Sequence, residues 1–258
     1  MRINFFEEFP IRENLEKARM IDFPSTIFIA ARSLQDFLRY KKELYEINPK
    51  LETAYWPIIP RTYWISPFSY TKDLRNFIRE MRSVQGPLEI LVDLELPLGK
   101  RWFLYFRNFF SAFLNKIIIK RFFKEAPILG IKIVTAEYPA PNTFFTRLYR
   151  ILGISFDPKK YGHSSCVMYY TSMIPKRFLE KVEKVIVQVK KEQNLNLELG
   201  LGVISIGIMG NEPILPPQEL ARDLDFMVQN NFNTATIFRL GGLNQEYYNV
   251  IKPYTTSA

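Results

Sequence analysis

The sequence predicts an α/β protein, a single (β/α)8 TIM barrel with parallel strands that spans residues 1–258. Eight strand-like runs alternate with helix-like runs along 258 residues, a usual length for such a barrel. Hydrophobic residues make up 47% of the chain, which is ample for a large core. No linker or internal repeat divides the sequence, so we expect one domain.

The strand predictions rest on short runs of aliphatic, β-branched and aromatic residues. They cover residues 3–9, 25–31, 53–59, 88–97, 131–138, 165–173, 197–206 and 234–240. The fourth run, LEILVDLELP, begins as a continuous apolar stretch, which is typical of a strand that is buried on both faces. Because strands alternate with helices, the sheet should be parallel, and eight units favour a closed barrel over an open sheet.

The helix predictions rest on apolar residues that recur at spacings of three and four. They cover residues 13–20, 33–47, 70–81, 101–124, 142–152, 176–192, 217–232 and 244–251. Ser33 is placed to cap the second of these helices, and Gly153 closes the fifth. The helices should pack outside the barrel.

Charge and composition narrow the classes of partner. The net charge is +9, which favours an anionic partner or serves solubility alone. The single cysteine, Cys166, excludes an internal disulfide framework, and Glu7 and Glu8 stand where a signal peptide would need apolar residues. We therefore expect a cytoplasmic protein. The single histidine, His163, excludes a His-rich zinc site, and no nucleic-acid-binding motif is present.

The candidate catalytic residues are carboxylates at the ends of two neighbouring strands, where barrels of this type form their active sites. Asp93 and Glu95 are two residues apart, so both should lie on one face of the fourth strand. Glu137 ends the fifth strand at a similar height. Three carboxylates this close should raise the pKa of at least one of them. Glu95 lies nearest the mouth of the barrel, which is the opening at the carboxyl ends of the strands. We therefore expect Glu95 to be the proton donor, with Asp93 and Glu137 as its catalytic partners.

Aromatic and charged residues end several other predicted strands. Six of them are expected to bind substrate: Glu8, Tyr55, Trp56, Tyr138, Tyr170 and Arg239. Aromatic rings pack on the C–H faces of sugars while polar groups bond the hydroxyls, so this mouth favours an oligosaccharide or another small molecule. Glycoside cleavage needs a proton donor and a second group that stabilises positive charge at the anomeric carbon. A buried structural network of these acids with Arg239 and lysines is the alternative.

Two short motifs resemble glycoside hydrolase family 18. The DLE of residues 93–95 is similar to the end of that family's strand-four signature, D-G-x-D-x-D-x-E. Met168 and Tyr170, in VMYYT, are similar to its strand-six M-x-Y-D. The resemblance implies that Glu95 is the general acid, and that Asp93 and Tyr170 hold the acetamido group of the substrate.

The sequence departs from that family at four positions. Leu88 and Leu91 stand where the first two Asp residues of the signature belong, and Thr171 replaces the strand-six Asp. The eighth strand ends in Arg239-Leu240 rather than in the family's Trp. The similarity is therefore to glycosidase-like barrels in general.

A second class of function is an enzyme that acts on a phosphorylated or Mg-bound small molecule. Glycines at 207, 210, 241 and 242 follow the last two strands, where barrels often hold phosphate with backbone N–H groups. Asp93, Glu95 and Glu137 would supply the oxygen ligands that Mg²⁺ prefers. No other cofactor is expected.

A third class is a non-catalytic barrel that binds a partner or a membrane surface. The run at 101–124, RWFLYFRNFFSAFLNKIIIKRFFK, has six basic residues, nine aromatic residues and no acidic ones. This composition suits a homo-oligomer contact or an interfacial helix on anionic lipid. A broad core-facing surface with basic residues at its rim is the remaining interpretation.

Overall fold

The computed structural model describes residues 1–95, 109–140, 142–193 and 197–255. Within these ranges, eight parallel strands close into a barrel in sequence order, which confirms the predicted fold class. The strands are β1 (Arg2–Glu7), β2 (Thr26–Ala31), β3 (Glu52–Pro57), β4 (Leu88–Asp93), β5 (Ile131–Glu137), β6 (Ser164–Tyr169), β7 (Leu197–Gly202) and β8 (Thr234–Phe238). Each lies within two residues of its predicted start, and most end earlier than predicted.

The helices of the described chain follow the strands in alternation. They are α1 (Arg12–Glu16), α2 (Leu34–Ile47), α3 (Thr71–Arg82), α4 (Phe109–Glu125), α5 (Thr143–Leu152), α6 (Pro158–Tyr161), α7 (Lys176–Gln193), α8 (Pro217–Gln229) and α9 (Gln245–Ile251). Residues 101–108 of the predicted fourth helix lie outside the described residues. None of the helices in the described ranges is long and apolar enough to cross a bilayer.

Local capping explains several of these helix boundaries. The Ser33 hydroxyl accepts a hydrogen bond from the Asp36 N–H at 3.1 Å, as expected from its position before α2. The C-cap Gly153 has φ +79°, a left-handed conformation that glycine adopts without steric cost. The sequence prediction missed α6, although Asp157 caps it and Pro158 opens it.

The strands carry two buried layers because their side chains alternate between the inside and the outside of the barrel. The inner layer contains Phe6, Phe28, Ala54, Trp56, Leu91, Val134, Ala136, Cys166, Met168 and Phe238. The outer layer packs under the helices and includes Phe5, Ile29, Tyr55, Ile90, Val92, Ile133 and Tyr169. Both layers are largely apolar, so the barrel interior is a packed core.

Candidate active site

Three carboxyl groups at the carboxyl ends of β1 and β4 lie close enough for their charges to interact. Asp93 is the last residue of β4, Glu95 lies two residues beyond it, and Glu8 directly follows β1. The charges of Glu95 and Glu8 both raise the pKa of Asp93, and the charge of Glu8 raises the pKa of Glu95. The three groups are therefore electrostatic neighbours, and two of them are the pair expected from the spacing of residues 93 and 95.

Burial determines the protonation of this cluster. Asp93 is 4% exposed, and burial raises its pKa well above the usual range, with the charges of Glu95 and Glu8 adding to the effect. Burial also raises the pKa of Glu95 and of Glu8 to about 7. Near neutral pH the cluster thus retains at least one proton, which is the property required of a general acid.

The immediate partners of the cluster are neutral. A hydrogen bond from Tyr138 lowers the pKa of Glu95, and the Tyr63 hydroxyl donates a hydrogen bond to Glu8. Asp93 Oδ1 is buried and accepts no hydrogen bond from the described residues. Among those residues, no lysine or arginine forms an ion pair with any of the three acids. The carboxylates are consequently not neutralised as members of a salt-bridge network.

Aromatic side chains surround these acids on the inner face of the barrel. The rings of Trp56 and Tyr63 meet edge to face, with their centroids 6.4 Å apart. Tyr170 packs on Phe238 with the ring centroids 5.8 Å apart, and burial raises its pKa, with the charges of Asp93 and Glu95 adding to the effect. Trp56, Tyr138 and Tyr170 thus lie beside these acids, and their role in substrate binding stays a prediction.

Tyr63 is a site residue that the sequence did not single out. It lies in a loop after β3 and is held by a bridge to Ile59, with the two backbone N–H···O distances at 3.1 and 3.2 Å. Only the high aromatic content of residues 63–69 signalled this loop. Its position in the mouth depends on a local pairing that has no sequence motif.

The structure corrects the expected position of Glu137. In the β4–β5 register Asp93 pairs with Ala136, so Ala136 faces inward and Glu137 faces outward under the helices. Glu137 accepts a hydrogen bond from Thr135 at 2.6 Å and another from Ser165 at 3.3 Å. Burial raises its pKa there. Glu8, rather than Glu137, completes the cluster with Asp93 and Glu95.

Tyr55 is likewise turned away from the mouth. It is 1% exposed, and its ring stacks on Phe37 of α2 with the centroids 5.1 Å apart. Tyr55 and Trp56 are adjacent in β3, so only one of them can face inward. The structure brings Trp56 to the site and uses Tyr55 to pack a helix against the barrel.

Arg239 lies at the rim and is already paired. Its guanidinium bonds Glu7 at 3.0 Å and the Ile206 carbonyl at 3.1 Å, and it lies over the Phe9 ring. The Gly241 N–H also donates to Glu7, at 2.7 Å. A buried acid–arginine pair therefore exists with the outward-facing Glu7, and the charge of Arg239 also lowers the pKa of Glu8 without forming an ion pair with it.

The glycine-rich turns face carboxylates. A Cβ added at Gly207 would lie 2.8 Å from Glu8 Oε2 and 2.8 Å from Glu212 Oε1, so this loop packs directly on two acids. The backbone N–H of Gly241 is occupied by Glu7. Within the described ranges, no group of three or more His, Cys, Asp or Glu side chains is arranged to hold a metal ion. The phosphate and magnesium alternatives gain no support from this geometry.

Comparisons with known proteins identify the fold. No protein-family model matches the sequence, and no curated protein matches it. The structure is similar to a GH18 chitinase from Pseudoalteromonas aurantia, with a TM-score of 0.61, 7% identity and coverage of 98% of this chain and 100% of that one. It is also similar to the spore cortex-lytic enzyme SleL of Bacillus cereus, with a TM-score of 0.60, 10% identity and coverage of 99% and 74%.

A third similar structure is a chitinase domain from Pyrococcus furiosus in complex with chito-oligosaccharides. Its TM-score is 0.53 at 12% identity, and the match covers 98% of this chain and 94% of that one. At such identities the likeness concerns the fold. Together with the closed eight-stranded parallel barrel, these matches show that the chain has the TIM-barrel fold, which it shares with these chitinases and with SleL.

Proposed function

We propose that this protein hydrolyses glycosidic bonds in an oligosaccharide, with Glu95 as the general acid. The observation that carries the proposal is the pair formed by Asp93 and Glu95, which lies at the carboxyl end of β4 without a cationic partner among the described residues. Structural pairs of buried acids are normally neutralised by a base or a metal. An unneutralised pair in an aromatic mouth is instead suited to protonating and binding a sugar.

The two acids differ in position and therefore in role. Glu95 is partly exposed and has a pKa of about 7, so it reaches the mouth and carries a proton in a substantial fraction of molecules at neutral pH. It would transfer this proton to the glycosidic oxygen as the bond from that oxygen to the anomeric carbon breaks. Asp93 is more deeply buried and would stabilise the positive charge that develops on the sugar.

The resemblance to family 18 assigns a further role to Asp93. In a substrate-assisted reaction, the acetamido oxygen of the sugar bonds to the anomeric carbon as the leaving oxygen departs, and water later breaks that new bond. Asp93 would hold the acetamido N–H, and Tyr170 would bond the same group. Trp56 would supply the apolar platform beneath the ring. Chito-oligosaccharides are therefore the substrates to test first.

The test is hydrolysis of chito-oligosaccharides of increasing length by the wild-type protein and by Glu95→Gln. The amide keeps the shape of the side chain but cannot donate a proton as an acid, so kcat should fall by about 10²-fold or more while the protein remains folded. Glu46→Gln, at an exposed position of α2, is the matched control and should keep full activity.

Two outcomes would contradict the proposal. One is a wild-type protein that binds and cleaves none of a panel of oligosaccharides that includes unsubstituted sugars. The other is a Glu95→Gln variant whose activity per folded molecule equals that of the wild type, because Glu95 would then have no part in the chemistry.

A further inference from the structure

A groove between α3 and α4 lies on the outer, helical surface of the barrel. It has a volume of about 420 Å³, within the range of ligand-binding clefts. Beneath it the two helices pack through Phe77 and Phe122, whose rings meet edge to face with their centroids 5.6 Å apart. Arg82 of α3 and Glu125 of α4 form a two-pronged ion pair, at 2.7 and 2.8 Å, that also joins the helices. The groove is therefore held in shape by contacts between the two helices.

The walls of the groove are cationic. Arg75, Arg79 and Arg82 lie at spacings of four and three, so they share one face of α3, and Arg121 of α4 lies among the lining residues as well. The two helices together carry eight Lys and Arg residues but three acidic ones. Among the described residues, Arg75, Arg79 and Arg121 have no acidic partner. This surface should therefore attract an anion.

Apolar side chains accompany these arginines. Leu114 and Ile118 line the groove, and Leu114 is 43% exposed. Phe113, the neighbour of Leu114 on α4, is 73% exposed. Exposed apolar groups next to arginines that lack an acidic partner have the chemistry of an interfacial helix, in which basic residues contact head groups and apolar residues enter the boundary with the acyl chains.

We propose that the α3–α4 face binds the surface of a membrane that contains anionic lipid. Arg75, Arg79 and Arg121 would bond the lipid phosphates, since guanidinium groups match phosphate geometry. Phe113 and Leu114 would enter the head-group region. A second copy of the chain fits this face less well, because a twofold contact would bring the arginine row of one molecule against the same row of the other.

The test is flotation of the full chain with vesicles of phosphatidylcholine, alone or with about one quarter phosphatidylglycerol. The wild-type protein should bind only the anionic vesicles, and salt near ~1 M should release it because the Debye length is then ~3 Å. The double variant Arg75→Gln/Arg79→Gln should weaken binding by about 30-fold, since each basic residue near the surface contributes roughly fivefold. Phe113→Ser should also weaken binding, without a change of charge.

The matched control is Lys41→Gln/Lys42→Gln, which removes the same charge from an exposed part of α2. It should bind as the wild type does. If this control lost as much vesicle binding as the arginine variant, only the net charge would matter. If the wild type bound neutral vesicles as well as anionic ones, the arginines would not recognise anionic lipid. Either result overturns the proposal. So does absence of vesicle binding together with a dimer, seen by sedimentation, that Phe113→Ser dissociates.

Discussion

Glu8 allows the electrostatics of the mouth to be tested by a single change. Burial raises its pKa from 4.5 to about 7. A carboxyl with a raised folded-state pKa stabilises the fold below its unfolded pKa, and this stabilisation is lost as the pH rises through 7. The rise of about 2.5 units corresponds to roughly 3 kcal/mol between pH 4.5 and a pH above 7. Glu8→Gln keeps the neutral form at every pH and should escape this loss.

The difference in the free energy of unfolding between Glu8→Gln and the wild type should therefore change sign with pH. At pH 4.5 the variant should be slightly less stable than the wild type, because the hydrogen bond from Tyr63 weakens, at a cost of about 1 kcal/mol. At pH 8 it should be more stable by about 2 kcal/mol, after the same cost is subtracted. Urea unfolding at the two pH values measures both differences. A variant that is destabilised equally at both would show that Glu8 is not held neutral by burial, and the reasoning would fail.

Three further predictions concern Glu137, the neighbours Tyr55 and Trp56, and the buried His163. Glu137→Gln should retain hydrolysis of any substrate identified, because Glu137 faces the helices, and a loss above about tenfold without unfolding would contradict its placement. Trp56→Ala should raise KM, whereas Tyr55→Phe, in the outer layer, should leave KM and kcat unchanged; the reverse pattern would refute the assigned faces. His163 is 3% exposed, and burial lowers its pKa to about 4, so its contribution to stability is present above pH 6.5 and lost as the pH falls through 4. The free energies of unfolding of His163→Phe and of the wild type should be measured at pH 7 and at pH 4, and the difference between them should change by about 3 kcal/mol. A difference that stays constant would contradict a buried neutral imidazole.

Much of the fold was predictable because alternation and capping are local properties. Ser33 and Gly153 mark helix ends by their own chemistry, and a parallel barrel follows from strands that alternate with helices. The relation between Asp93 and Glu95 was predictable for the same reason, since a separation of two residues places both on one side of a strand. Neither inference needs knowledge of the neighbouring strands.

The sequence does not predict which face of each strand points into the barrel. The central residues of most strands in this barrel are apolar on both faces, so the pattern of residues does not tell which face is inside. That choice depends on register, which pairs Asp93 with Ala136 and thereby turns Glu137 outward. Tyr63 was missed because a loop conformation, rather than a periodicity, brings it to Glu8.

Gly207 has a consequence for how sequences of this fold can diverge. Its hydrogen stands where a methyl group would collide with oxygen atoms of both Glu8 and Glu212. A larger residue would push the flexible carboxyl groups of Glu8 and Glu212 aside, and a Glu8 carboxyl displaced from its buried position would have a pKa closer to 4.5. A single methyl at a residue without any titratable group would thus alter the pH range in which Glu8 ionises.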